Sequence, residues 1–194
     1  MSINHWIVKN LVCTLFLVVG GLNIYAQKDK YLIEAEAFQF KGKWSTDRSA
    51  DCMGSAMLRL NGGGSLDEQF DALTVVNIME EGDYNVWVRS ADYDKLPGTR
   101  LFRLSVDEKP MKESGKHGKV GFYWENAGCV QLAKKQVLLR LHDTKRNFGR
   151  CDAILLVKDH SINPNEMDRK EVGKWRKNPC LLYTSPSPRD MRRS

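Results

Sequence analysis

The chain contains few cysteines, and none of them stands in a spacing that a zinc site requires. Five of the 194 residues are cysteine, with no CxxC pair and no Cys/His spacing typical of zinc. Cys52, Cys129 and Cys151 lie away from the two chain ends. They allow one disulfide and leave one thiol, and the sequence does not select the pair. The simpler interpretation is that Cys129 and Cys151, in apolar strand-like surroundings, are buried free thiols.

The sequence has only one segment apolar enough to enter a membrane, and this segment is N-terminal. Met1–Ala26 combines Lys9, an apolar run over Leu11–Leu22 and a small residue before Gln27. This is the pattern of a secretory signal peptide. A signal anchor is the alternative, although the run is short for a span. We therefore predict an exported protein, secreted or periplasmic, with no membrane span after signal cleavage.

The last residues differ in composition from the rest of the chain. Cys180–Asp190 reads CLLYTSPSPRD, which resembles the in-frame translation of a sequencing adapter. A genuine Ser/Pro-rich tail is the alternative. On the first interpretation residues 180–194 are an artefact, and the natural protein continues beyond Pro179 into a downstream domain that this sequence lacks.

The chain also lacks the charge pattern of a nucleic-acid-binding protein. Its net charge of +6 falls to +3 once the predicted signal peptide and the adapter-like residues are set aside, which removes Lys9, Arg189, Arg192, Arg193 and Asp190. No stripe of Lys and Arg interleaved with aromatic residues remains, so nucleic acid is not an expected partner. The remaining length suits one domain, predicted at residues 27–160, and a helical linker at residues 161–179.

No long amphipathic helix interrupts the chain, which argues against a parallel α/β sheet. Short segments instead alternate apolar and polar residues between Gly, Asn, Asp and Pro turns, as in an antiparallel sandwich. The predicted strands are Tyr31–Phe38, Leu73–Ile78, Asp83–Arg89, Leu101–Val106, Val137–Leu141 and Asp152–Lys158. One short helix is predicted to begin at Asn163 and Pro164 and to end at Pro179. We therefore predict an all-β antiparallel β-sandwich with a short C-terminal helix.

Motifs of enzymatic catalysis are missing as well. Ser114, His117 and Asp143 offer the residue types of a hydrolase triad, but no nucleophile elbow accompanies them. Gly62–Gly64 lacks the strand, helix and Lys of a phosphate-binding loop. We expect this domain not to be catalytic, and a small secreted hydrolase using His117 is the weaker alternative.

Four motifs in order along the chain resemble the carbohydrate-binding modules of families 6 and 35, which are galactose-binding-like jelly rolls. They are Glu34-Ala35-Glu36, the strand Gly82–Arg89, the strand and turn Leu104–Asp107, and Cys151–Ile154. The resemblance implies a jelly-roll sandwich that binds a glycan or polysaccharide. It also implies an N-terminal module that targets a larger secreted enzyme to glycans, such as a flavin-dependent oxidoreductase or a polysaccharide lyase.

The resemblance implies a structural Ca²⁺ held by Glu34, Glu36 and Asp152. In a strand Glu34 and Glu36 would share one face, where two carboxylates repel each other unless a cation compensates them. From the residues alone, the alternative is that both glutamates are solvated on an edge strand, which charged side chains often protect.

Aromatic residues near the family's binding loops are the candidate sugar ligands, because sugar C–H faces stack on rings. The candidates are Trp44, Tyr123, Trp124 and Phe148, together with Arg150. Arg150 stands where the family usually has Asn, which favours a carboxylate or sulfate on the ligand or marks loss of the usual sugar site. The alternative function is a docking module that packs on its own downstream catalytic domain without binding sugar. That alternative is favoured by Trp87, by Trp175 and by the presence of Arg150 where the family usually has Asn.

Overall fold

The computed structural model of the protein describes residues 28–61, 70–144 and 148–177. The predicted signal peptide, the Gly62–Gly64 turn and the adapter-like residues 180–194 lie outside the described residues. Within them the strands are β1 (Lys30–Glu34), β2 (Ser45–Arg48), β3 (Ala56–Arg59), β4 (Ala72–Asn77), β5 (Gly82–Ala91), β6 (Phe102–Val106), β7 (Lys109–Ser114), β8 (Phe122–Leu132), β9 (Gln136–Asp143) and β10 (Arg150–Val157). The helical elements are two 3₁₀ turns, Ala35–Ala37 and Pro164–Glu166, and one short helix, α1 (Arg169–Gly173).

The strands form two antiparallel sheets, one of six strands and one of four. The larger sheet has the order β2-β3-β10-β5-β8, and β1 pairs with the C-terminal half of β10. The smaller sheet has the order β4-β9-β6-β7. The first and last strands are therefore hydrogen-bonded neighbours. The predicted antiparallel β-sandwich is confirmed.

The core lies between the two sheets and is filled by alternate residues of each strand. In β9 the side chains of Val137, Leu139 and Leu141 are fully buried, while Arg140 and His142 between them are partly exposed. Strand β6 alternates in the same way. This period of two follows from the pleat of a strand, which points successive side chains to opposite faces.

Strand β10 is buried on both faces of the larger sheet. Ile154 and Leu156 face the sandwich core, and Ala153, Leu155 and Val157 face outward. The outward residues belong to a second apolar group that we call the outer cluster, which contains Leu32, Met53, Trp124, Ala153, Leu155, Val157 and Val172. Burial on both faces explains why this strand reads as a continuous apolar run rather than as an alternating one.

The strand pattern departs from the prediction at β1, and four observed strands, β2, β3, β7 and β8, were not predicted. The first strand ends at Glu34, and Glu36 lies in the 3₁₀ turn that follows rather than in a strand. Strand β8 was not predicted, because its alternation is interrupted where its register with β5 shifts near Gly128, a glycine with a φ of 119°. Such a bulge adds a residue to one strand and breaks the period of two.

The C-terminal segment, which we define as residues 162–177, packs on the outer face of the larger sheet. Asn163 caps its first turn as predicted, since its side chain accepts a hydrogen bond from the Asn165 amide. The prediction of a single helix is wrong in extent. Asp168 caps the start of a separate helix, so the segment contains the 3₁₀ turn followed by α1. The Leu32 amide donates to the Trp175 carbonyl, and the Lys177 amide donates to the Leu32 carbonyl, both at 2.9 Å.

In the three described stretches of the chain, no helix has the length and apolar character needed to cross a membrane.

Candidate functional site

Loops at one end of the larger sheet enclose an open cleft. Strand β5 ends and β10 begins at this end, since Ser90 lies opposite Cys151. The β5–β6 loop and the residues just before β10 form the walls. We call this the arginine cleft; it has a volume of about 450 Å³ and is lined by Tyr93, Leu96, Thr99, Arg100, Phe148 and Arg150.

The apolar lining of the arginine cleft is exposed to solvent. Leu96 is 59% exposed, Phe148 is 50% exposed and Tyr93 is 40% exposed. Only six large apolar side chains are exposed in the described part of the chain, and these are three of them. Scattered apolar residues are normal on a surface, but their concentration beside polar groups in one concavity is typical of a binding site.

Two arginines give the cleft a positive charge, and for one of them, Arg150, the protein compensates that charge poorly. Burial lowers the pKa of Arg150, and the like charges of Arg100 and Arg59 lower it further. The acid that opposes this effect, Asp47, already forms an ion pair with Arg59 at 2.9 Å. Burial also lowers the pKa of Arg100, although Asp92 and Asp94 oppose the shift. The Nε of Arg150 is buried without a hydrogen-bond partner, so the hydrogen-bonding capacity of this guanidinium is not fully used.

A buried carboxylate holds the loops around the cleft. Asp92 accepts hydrogen bonds from the amides of Tyr93 at 2.7 Å, Gly98 at 3.2 Å and Gly118 at 2.9 Å. Its backbone carbonyl accepts from Arg100 Nη1 at 2.6 Å. The Asp92 side chain thus ties the β5–β6 loop to the β7–β8 loop, and its backbone carbonyl holds the Arg100 guanidinium, which reduces the ordering cost of binding.

The predicted sugar-binding residues separate into distinct places. Phe148 and Arg150 come together in the arginine cleft. Tyr123 and Trp124 are adjacent residues of β8 and therefore point to opposite faces of the sheet. The Tyr123 ring contacts Lys119 and His117, with the Lys119 Nζ 3.4 Å from its centroid. These two aromatic rings therefore do not form one stacking platform.

Trp44 and Trp124 are both buried. Trp44 is 3% exposed and packs edge-on against Phe102, with ring centroids 5.7 Å apart. Trp124 is 5% exposed and lies in the outer cluster under the C-terminal segment. Asn165 of that segment bonds both backbone groups of Trp124, accepting from its amide and donating to its carbonyl, each at 3.0 Å. An amide side chain thereby pairs with the edge of β8 as a neighbouring strand would.

Four residues of the cleft were not revealed by the sequence: Tyr93, Leu96, Thr99 and Arg100. They lie in the β5–β6 loop, far along the chain from Phe148 and Arg150. The sequence signal was a long loop containing Pro97 and Gly98 with charged and aromatic residues on both sides. Loops of this kind are frequent binding elements, but nothing local indicates which other loop they approach.

Glu34 and Glu36 converge even though Glu36 lies outside the strand. A Cβ placed on Gly54 would lie 2.2 Å from Glu36 Oε1 and 2.8 Å from Glu34 Oε1. Oε1 of Glu36 accepts from the Ser55 amide at 2.9 Å, whereas its Oε2 is buried without a hydrogen-bond partner. Arg176 donates to Glu34 through Nε at 2.7 Å. An unsatisfied carboxylate oxygen beside a second carboxylate fits a hard cation such as Ca²⁺.

Asp152 lies fully buried and is occupied by other partners. Its two oxygens accept from the Met53 amide at 3.0 and 3.1 Å, and it forms an ion pair with Arg89. Burial raises the pKa of Asp152 to about 6, although Arg89 opposes the shift. Arg89 puts a positive charge beside Asp152, and Arg176 does the same at Glu34. Of the three predicted ligands, Glu36 is the one with an oxygen that is buried without a partner.

The ring of His117 is engaged with the backbone. Its Nε2 lies 3.2 Å from the Ser90 carbonyl oxygen, and its Nδ1 accepts from the Lys119 amide at 3.0 Å. Both nitrogens that a general base would use are therefore occupied. The nearby Ser114 is fully buried. This geometry does not favour the hydrolase alternative.

Comparisons with known proteins relate this chain to others by structure alone. No protein-family model matches the sequence. No curated protein matches it either.

Solved structures of carbohydrate-binding modules resemble the fold. A family 35 module from Clostridium thermocellum is 18% identical, with a TM-score of 0.52 over 65% of this chain and 97% of that module. The C-terminal family 6 module of a laminarinase from Zobellia galactanivorans is 15% identical, with a TM-score of 0.52 over 67% of this chain and 100% of that one.

A larger protein matches over part of its length. The β-(1,4)-mannanase of Podospora anserina, which contains a family 35 module, is 15% identical with a TM-score of 0.55. The match covers 73% of this chain and 30% of the mannanase. At these identities the similarity shows the fold, and the chain has the β-sandwich fold of family 35 and family 6 carbohydrate-binding modules.

Proposed function

We propose that this chain is a non-catalytic carbohydrate-binding module that binds an acidic glycan, one carrying carboxylate or sulfate groups, in the arginine cleft. The observation that carries the proposal is the pairing of two partly desolvated arginines with exposed aromatic rings in one open concavity. The module-like fold is the second support, since structures with this fold include carbohydrate-binding modules.

The chemistry of each group suits one part of such a ligand. Phe148 offers a ring face on which the C–H face of a sugar can stack, and the Tyr93 ring lies beside it with the Arg100 guanidinium over one face. Arg150 and Arg100 offer planar guanidinium forks, which bind carboxylate and sulfate oxygens through two parallel hydrogen bonds. An anion between them would also relieve the repulsion between the two arginines.

The wider role in the proposal is targeting. An exported module that holds polymer near an attached enzyme raises the local substrate concentration without new chemistry. The attached enzyme would be a larger secreted protein acting on glycans, such as a flavin-dependent oxidoreductase or a polysaccharide lyase. Similarity to a module within the Podospora anserina mannanase is in line with this arrangement.

Calcium binding at Glu34 and Glu36 belongs to the same proposal. The cation would satisfy Glu36 Oε2 and fix the turn after β1 against Gly54. Asp152, the third ligand implied by the family resemblance, would first have to leave Arg89. Calcium at about one hundred times its Kd is expected to stabilise the fold by about 2.7 kcal/mol.

A thermal melt of the full chain, with calcium and with chelator, tests the cation. We expect calcium to raise the melting temperature by about 5–10 °C in the wild type. The shift should disappear in Glu36→Gln and persist in Glu108→Gln, an exposed glutamate in the β6–β7 turn. An equal melting temperature with and without calcium would remove the cation from the account.

Docking on a downstream domain is the alternative function. Trp87 and Trp175, which favoured it in the sequence, pack against the outer cluster within the module itself. They are therefore used to hold the C-terminal segment rather than offered to another domain.

A glycan array probed with the full chain separates the two functions. The proposal predicts retention on uronate-containing or sulfated glycans and weaker retention on neutral ones. Binding to no glycan, together with a stable complex between the chain and its downstream domain, would favour docking instead.

A further inference from the structure

A thiol, an imidazole and a carboxylate meet on the outer face of the larger sheet, at the end opposite the arginine cleft. Cys129 lies on β8 directly opposite Asn85 of β5, and Asp83 lies two residues before Asn85 on the same face. His160 lies three residues beyond Val157, the β10 residue that is also paired with Asn85. Three separate stretches of chain therefore supply these side chains.

Cys129 faces solvent here, contrary to the sequence prediction that it is buried. The bulge near Gly128 shifts the alternation of β8 by one residue, so Val130 and Leu132 face the core after it and Cys129 faces outward. The Cys129 Sγ donates a hydrogen bond to Asn85 Oδ1 at 2.8 Å. Cys52, Cys129 and Cys151 are all free thiols, and Cys129 is the exposed one among them.

The spacing of the three side chains fits a single metal ion. One ligand atom from each of Asp83, Cys129 and His160 lies within 4.8 Å of the other two. The His160 Nε2 is 3.6 Å from the Asp83 Oδ2. Metal–ligand bonds of about 2.0–2.3 Å in a tetrahedral arrangement put ligand atoms roughly 3.3–3.8 Å apart. Small side-chain rotations would therefore complete the geometry.

The donor set selects a class of metal. A thiolate and an imidazole favour borderline and soft divalent ions such as Zn²⁺, whereas Ca²⁺ and Mg²⁺ prefer oxygen ligands. The set therefore differs from the all-oxygen pair at Glu34 and Glu36. Three protein ligands leave a fourth position for water, as in open zinc sites, or for Asn85 Oδ1.

We propose that Asp83, Cys129 and His160 form a site for Zn²⁺ or a similar divalent transition metal. Binding releases the Cys129 thiol proton to solvent, and the thiolate, Nε2 of His160 and one carboxylate oxygen of Asp83 coordinate the ion. The ion links β5 and β8 to the loop after β10, close to the start of the C-terminal segment. This site is independent of glycan binding in the arginine cleft.

Titration of the untagged, metal-free full chain with Co²⁺ tests the site, because a thiolate ligand gives cobalt a charge-transfer absorption band. We expect one equivalent of Co²⁺ to produce this band together with the intense visible bands of a tetrahedral ion, and Zn²⁺ to displace them. Cys129→Ser should abolish the charge-transfer band. Asp83→Asn and His160→Gln should each weaken binding by about tenfold or more.

His142→Gln is the matched control, because His142 is a partly exposed histidine on the other sheet, and it should titrate like the wild type. The absence of a charge-transfer band in the wild type would overturn the proposal. So would a band that survives Cys129→Ser, or wild-type affinity in both Asp83→Asn and His160→Gln, which would indicate a thiol binding cobalt alone.

Discussion

Two regions of this molecule hold aromatic side chains near the same end of the larger sheet, and they differ in what covers them. Trp124 lies in the outer cluster beneath the C-terminal segment and is almost completely buried. Phe148 lies in the arginine cleft and keeps half of its surface in solvent. The sequence offered both as sugar ligands, because residue type alone does not distinguish a buried ring from an exposed one.

The polar groups of the two regions differ in the same sense. Around Trp124 the backbone is satisfied, since Asn165 bonds both its amide and its carbonyl. Around Phe148 the buried Nε of Arg150 lacks a partner and Arg100 adds a second positive charge. The paired backbone groups of Trp124 contribute stability, although the Nε1 of Trp87 beside the outer cluster is also buried without a partner.

Trp124→Ala should produce the largest effect and should act on folding. Removal of a buried tryptophan costs about 3–5 kcal/mol, and here it would also loosen the C-terminal segment from the sheet. Chemical denaturation of the full chain measures this loss. A change in unfolding free energy below about 1 kcal/mol would mean that the outer cluster does not hold the segment.

Arg150→Met should produce the largest effect on binding. It removes the guanidinium and keeps much of the apolar stem, so we expect affinity for an acidic oligosaccharide to fall by about tenfold to a hundredfold. Folding should not suffer, because the substitution also removes a partly desolvated charge near Arg100 and Arg59. Calorimetry with Arg150→Lys as control should give an intermediate affinity, since the lysine keeps the charge and lacks the fork. Unchanged affinity in Arg150→Met would separate the arginine from binding.

Asn165→Ala tests the covered region, because it removes the side chain that bonds the backbone of Trp124. The amide and carbonyl of Trp124 lose their partner, and we expect a loss of about 1–3 kcal/mol in unfolding free energy. Glycan affinity should stay at the wild-type level, because the arginine cleft is built from other loops. Hydrogen exchange at the Trp124 amide reports the change locally, and unaltered protection there would contradict this role for Asn165.

Phe148→Ala should produce the smallest change in stability and a moderate change in binding. An exposed ring contributes little to folding, so unfolding free energy should stay within about 0.5 kcal/mol of the wild type. Loss of the stacking face should weaken glycan binding by about tenfold. Val120→Ala, at an apolar residue outside the cleft that is 84% exposed, is the control and should leave both quantities unchanged. An unaltered affinity in Phe148→Ala would remove stacking from the proposal.

The sequence predicted those parts of the fold that local patterns determine. The alternation in β9 and the reversal between β6 and β7, where Asp107 and Glu108 have positive φ, were both anticipated from neighbouring residues. Strand β8 was missed because its bulge breaks the period that identifies a strand. The extent of the C-terminal helix was wrong because Asn163 and Asp168 each begin a separate helical turn.

The candidate site was predictable only where the contributing residues are close in sequence. Phe148 and Arg150 were found together because they flank the start of β10. Tyr93 and Arg100 reach them through the β5–β6 loop, and Asp83, Cys129 and His160 meet from three strand ends. Which loops lie close together, and which residues face each other across neighbouring strands, depend on the whole sandwich. A motif within one stretch of sequence therefore does not reveal these contacts.

The most direct test of the central claim is the affinity of the full chain for an oligogalacturonate and for the same oligosaccharide with its carboxylates reduced to alcohols. Both ligands offer the same sugar faces, so a difference in Kd reports the arginines. The arginine cleft predicts affinity for the acidic ligand at least about tenfold higher than for the reduced one, and loss of that preference in Arg150→Met. A sulfated oligosaccharide and its desulfated form extend the test to sulfate. Equal affinities within both pairs, or a preference that survives in Arg150→Met, would contradict the claim.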